Sequence, residues 1–131
     1  MTITNAQIED AKRKISEEFM DHFYTFIEDA KAFGTTYDFG RKYGIYFRNE
    51  EMVAKRTKAN LTNIVWFQSN IFGMRRYTAD WEKSGYDKNV IWKLVDLGFL
   101  SETIGYNSNY HKTFYFIPQR TAKEIFKQYK R

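Results

Sequence analysis

The stretch that decides the fold is Thr78-Ala79-Asp80-Trp81-Glu82-Lys83-Ser84-Gly85-Tyr86-Asp87-Lys88-Asn89-Val90-Ile91-Trp92-Lys93-Leu94-Val95-Asp96-Leu97-Gly98. It predicts two short helices separated by a glycine turn. Thr78 is a good N-cap for a helix over residues 79–83, whose Asp80 and Glu82 suit the positive end of the helix dipole. Ser84-Gly85 breaks that helix, and glycine supplies the positive φ that a tight interhelical turn needs. Asp87 then caps a helix over residues 87–97, which Gly98 stops. Its spacing places Ile91, Leu94 and Leu97 on one face, with Val90 and Val95 at the borders. Lys88, Asn89, Trp92, Lys93 and Asp96 fall on the other face.

Downstream, Phe99 and Leu100 return to the core. Residues 102–105 and 112–117 predict two strands joined by the turn-rich Tyr106-Asn107-Ser108-Asn109-Tyr110-His111. Pro118 ends the second strand because it has no N–H for a ladder. A final short helix is expected over residues 121–129.

Upstream, residues 4–33 predict one long amphipathic helix. Ile8, Ala11, Ile15, Phe19, Phe23, Phe26, Ile27, Ala30 and Phe33 recur every three or four residues, opposite Glu9, Asp10, Arg13, Lys14, Glu17, Glu18, Asp21 and Asp29. Thr4 or Asn5 caps its start and Gly34 its end. A helix of about 28 residues is roughly 40 Å long. Its stripe either lies across the domain or packs in part on a second copy. Gly34, Gly40 and Gly44 punctuate a β-prone stretch with a short strand over residues 43–47. The basic cluster Lys55, Arg56 and Lys58 precedes a second helix over residues 61–74, which buries Leu61, Ile64, Val65, Phe67, Ile71 and Phe72. Arg75 and Arg76 close its last turn. No repeat or low-complexity linker interrupts the chain, so residues 1–131 read as one domain. Its parts are a helical extension (1–60), a core (61–117) and a terminal helix (118–131). The class is mainly α with a small β-hairpin.

Composition bounds the function. Of 131 residues, 43% are hydrophobic and 19% aromatic, enough apolar area for a folded core. Twelve Phe, ten Tyr and three Trp exceed what such a core easily buries, so some rings should face a partner. The absence of Cys excludes disulfides, thiolate zinc sites and a Cys nucleophile. Without an apolar leader or an 18-residue apolar run, the expected protein is soluble and cytoplasmic, with no membrane partner. The net charge of +5 is uneven. Residues 1–40 hold four basic and eight acidic side chains (−4), residues 41–93 eleven and five (+6), and residues 94–131 six and three (+3). A polyanion would therefore dock on the middle and C-terminal parts.

No catalytic constellation stands out. His22 and His111 are far apart in sequence, and neither a Gly-rich phosphate loop nor a Gly-x-Ser-x-Gly turn occurs. Glu17-Glu18 and Glu50-Glu51 are sequence neighbours that would point about 100° apart on a helix, and they read as solvated surface. The expectation is a non-enzyme with no cofactor and no metal.

A short helix, a glycine turn, a helix ending in Leu94-Val95-Asp96-Leu97-Gly98-Phe99-Leu100 and a polar-tipped hairpin together resemble the winged helix-turn-helix of bacterial and phage regulators and plasmid replication initiators. The likeness covers residues 61–117 and is one of pattern. It implies a winged helix with a long N-terminal and a short C-terminal helix. The implied function is sequence-specific binding of double-stranded DNA by a homodimer, in transcription regulation or in phage or plasmid replication control. A major groove about 12 Å wide admits one helix. By this analogy Asn89 pairs with adenine, Lys88 and Lys93 meet phosphate or guanine, and Trp92 shares their face. Tyr86 packs on the sugar-phosphate backbone. Asn107, Asn109, His111 and Lys112 form the wing tip, while Arg75, Arg76, Lys55, Arg56 and Lys58 add sequence-independent affinity. The N- and C-terminal helices are the candidate dimer elements. The alternative is a small inhibitor or adaptor that docks an aromatic surface on a host protein, because the same fold also serves protein recognition. Trp92 on an exposed face favours that alternative.

Overall fold

Thr4 and Gln7 start the first helix as a capping box: the Thr4 hydroxyl accepts from the Gln7 amide at 3.2 Å, and the Gln7 carboxamide accepts from the Thr4 amide at 2.8 Å. The resulting helix, α1 (Asn5–Ala32), is followed among the described elements by α2 (Thr78–Lys83), α3 (Lys88–Asp96), β1 (Ser101–Asn107), β2 (Tyr110–Phe116) and α4 (Gln119–Tyr129). The computed structural model describes residues 2–32, 78–107 and 110–130, and the arrangement is mainly helical with one small antiparallel sheet. The expected strand at 43–47, the helix at 61–74, and Lys55, Arg56, Lys58, Arg75, Arg76 and Asn109 lie outside those residues, as does Phe33.

The α1 stripe from Ile8 to Ile27 is buried as its periodicity predicts, and Ser16 and Met20 join it. Ser16 is tolerated there because its hydroxyl donates to the Lys12 carbonyl at 2.6 Å. Outside, Arg13 bridges Asp10 (2.8 Å) and Glu17 (3.2 Å), and Lys14 reaches Asp10 at 3.0 Å. Hydrogen bonds from Lys14 and then Arg13 hold the Asp10 carboxyl below its ordinary range. The stripe packs against α3 and α4, where the edge of Phe126 meets Phe23 with centroids 5.9 Å apart. Of the two arrangements open to the sequence, α1 adopts the one that lies across its own chain over this length. The apolar side of α4, with Ala122, Ile125 and Phe126, is buried too. Over the described length, the apolar sides of both helices are occupied within the chain.

Helices α2 and α3 end in the same way. Gly85 (φ +96°) reverses the chain after α2, with its amide on the Glu82 carbonyl (2.9 Å) and the Tyr86 amide on the Trp81 carbonyl (3.1 Å). Gly98 (φ +79°) does so after α3, with its amide on Val95 (3.0 Å) and the Phe99 amide on Leu94 (2.9 Å). Both are Schellman ends, which satisfy carbonyls that a helix otherwise leaves without partners. The accompanying apolar contact is explicit in the first: Trp81 and Tyr86 meet edge to face at 5.4 Å.

Four expectations are corrected here. Leu97, expected in the core, is 52% exposed, because α3 stops at Asp96 and the turn at Gly98 sends Leu100 inward instead. Val90, expected at a border, is a core residue. The strands are longer than expected: register runs from Ser101↔Phe116 to Asn107↔Tyr110, so Tyr106, Asn107, Tyr110 and His111 are ladder residues. The antiparallel pairing gives each of them a ladder partner, which outweighs their turn propensity. The terminal helix also begins earlier, at Gln119, directly after Pro118 in the N-cap position.

Phe23→Ala should lower the unfolding free energy by about 3–5 kcal/mol in urea titration, as a fully buried ring is removed. Gly85→Ala should cost about 1–2 kcal/mol, from backbone strain alone, because its Cβ would meet nothing within 4 Å.

Candidate nucleic-acid interface

The start of α3 is set by its cap. Asp87 is extended (φ −70°, ψ 138°), and its carboxylate accepts the Asn89 amide at 2.7 Å, as the sequence predicts. The apolar positions of the helix, Val90, Ile91 and Leu94, go inward. Lys88, Trp92, Lys93 and Asp96 are exposed and Asn89 is half-buried beside them. The far end of the helix is held by α4: Arg120 donates to the Gly98 carbonyl at 3.2 Å and the Thr121 hydroxyl to the Phe99 carbonyl at 2.8 Å. A cation there also suits the negative end of the α3 dipole.

Trp92 is 43% exposed, yet it is anchored. Its indole N–H donates to the Tyr115 hydroxyl at 3.0 Å, and the Lys88 ammonium lies 5.8 Å from its ring centroid. Tyr115, on β2, also accepts the Trp81 indole N–H on its backbone carbonyl at 3.3 Å. One strand residue therefore ties the hairpin to α2 and to α3. Sequence reading passed over Tyr115; its signal was position, two residues before the buried Ile117 on a strand.

Tyr86, expected against the sugar-phosphate backbone, is 8% exposed with its ring edge to face on Trp81. Lys88, Asn89, Trp92 and Lys93 are brought together on α3. Asn107, His111 and Lys112 occupy ladder positions opposite Tyr110, Tyr106 and Gly105. Asp87 and Asp96 formally balance Lys88 and Lys93, but Asp87 is engaged at the positive end of the helix and Asp96 lies at the opposite end. A cleft of about 260 Å³ between α1 and α4 includes Lys12, Arg13, Glu124 and Gln128, and none of its lining belongs to α3.

No family model, curated protein or solved structure matches this chain. Among the described residues, no helix is long and apolar enough to cross a membrane, and no group of three or more His, Asp and Glu is placed to hold a metal ion.

Asp87→Ala should destabilise the fold by about 1 kcal/mol, read as a shift in denaturation midpoint. A double-mutant cycle of Trp92→Phe and Tyr115→Phe should give a coupling of about 0.5–1.5 kcal/mol, and additivity would show that the bond contributes nothing.

Proposed function

We propose that the chain binds double-stranded DNA in a sequence-specific way through the exposed face of α3, acting as a winged helix-turn-helix protein in transcription regulation or in phage or plasmid replication control. The observation that carries this reading is the capped α3, which presents exposed Lys88 and Lys93 with half-buried Asn89 beside a two-stranded hairpin. A carboxamide on such a helix can pair bidentately with adenine, and the two lysines supply phosphate or guanine contacts. The indole of Trp92, held by Tyr115, keeps the hairpin and the helix in one register. A homodimer would present two such helices to two half-sites. Its contact lies outside the apolar faces of α1 and α4, which are buried within the chain.

Selection from a random duplex pool should enrich a motif. On that motif, Asn89→Ala should cost about 1–3 kcal/mol and relax preference at one position, while Lys88→Ala should flatten the salt dependence. Failure to enrich, or unchanged affinity in both variants, would leave the reading without support.

One observation favours a second reading. Trp92 and Leu97 are the exposed large hydrophobics among the described residues. An inhibitor or adaptor that docks this end of α3 on a host protein would show binding almost insensitive to salt.

A further inference from the structure

On α4 the cations are spaced three, four and three residues apart: Arg120, Lys123, Lys127 and Lys130. At 3.6 residues per turn the first three fall within an arc of about 60°, and Lys130 is the C-cap. The opposite side carries Thr121, Ala122, Ile125 and Phe126, all buried. Gln119 to Lys130 therefore present four cations and the single carboxylate of Glu124 on the outer surface.

Helix stability explains only part of the row: Lys127 lies in the last turn and Lys130 is the C-cap, whereas Arg120 and Lys123 stand earlier. Anions suit the first turn of a helix and cations the last. The first turn of α4 has no acid and holds Arg120 instead. Arg120 has a structural use, since it donates to the Gly98 carbonyl at the end of α3. Lys127 has only a loose, exposed pairing with Glu124 at 3.8 Å, and Lys130 lies over the Phe126 ring at 5.8 Å. Lys123 has no ion pair among the described residues. The three ammonium groups thus lie along one line, Lys123 without an ion pair among the described residues and the other two with exposed contacts only.

We propose that Lys123, Lys127 and Lys130 form a second contact surface, which takes the phosphodiester backbone of duplex DNA without regard to sequence. Charge complementarity selects a polyanion. An ammonium is a compact charge suited to single phosphates, and a row about 10 Å long at 1.5 Å per residue meets several of them. A lipid surface is the weaker match, because an interfacial helix needs a free apolar face and that of α4 is packed against α1. The attachment of Arg120 to the α3 terminus fixes where this row begins relative to the candidate reading helix. The surface goes beyond the α3 reading and does not require α3 to recognise any base.

The test uses the full chain and a duplex of random sequence, with the triple variant Lys123→Gln, Lys127→Gln, Lys130→Gln. A charge-matched control, Lys12→Gln, Arg13→Gln, Lys14→Gln, removes three cations from α1. Thermal melts confirm that both are folded. Loss of three phosphate contacts should lower the slope of log affinity against log salt by about 2.7 in the α4 variant, so its deficit relative to wild type shrinks about 40-fold between 50 and 200 mM salt. The α1 control should keep the wild-type slope. Equal slopes in all three proteins, or equal losses in both variants, would overturn the proposal. So would wild-type binding to phosphatidylserine vesicles without binding to duplex. Failure of the pool selection together with loss of random-duplex binding in the α4 variant would leave this surface standing and remove the α3 reading.

Discussion

Tyr115 joins three elements that have no covalent reason to share a geometry. Its backbone carbonyl accepts the Trp81 indole and its hydroxyl accepts the Trp92 indole, so α2, α3 and β2 meet at one 7% exposed residue. The two bonds point to different atoms of the same residue, and a shift of the hairpin relative to either helix would break at least one of them. The Trp81 donor is buried, and leaving it without a partner is costly, which makes that contact directional where apolar packing alone is not. The orientation of α3 relative to the hairpin, on which any use of its outer face depends, follows from this junction.

Around that junction the turns work by backbone chemistry. Gly85 and Gly98 both take positive φ, and each allows two amides to close back on the helix just ended. The second turn is reinforced from outside, since Arg120 and Thr121 on α4 donate to the Gly98 and Phe99 carbonyls. The terminal helix is consequently part of the α3 support as well as a lid on α1. Its outer surface is then left to the lysines.

The exposed Trp92 is accounted for by the same geometry. An indole on the polar face of α3 looks out of place in sequence, where its neighbours are Lys88, Asn89, Lys93 and Asp96. With its N–H on Tyr115 and Lys88 over its ring, it is half framework and half surface. Tyr86 makes the opposite move. Placed between a glycine and a helix cap, it reads as a surface aromatic, yet the reversal at Gly85 folds it onto Trp81.

Local signals determined a good deal of this protein. The 3.6-residue spacing from Ile8 to Ile27 specified the buried side of α1, because an amphipathic helix has only one apolar stripe to hide. Asp87, Gly85 and Gly98 marked helix ends, since caps and positive φ are properties of single residues and their immediate neighbours. The tertiary structure decided what local chemistry leaves open. It set whether the α1 stripe met its own chain, how far turn-prone residues such as Asn107 and Tyr110 were drawn into a ladder, and that Leu97 lies outside while Leu100 lies inside. The same holds for the role of Tyr115 and for the lysine row on α4, which became a surface only once the opposite side of that helix was buried. Each depends on a partner distant in sequence, and periodicity does not encode which partner that is.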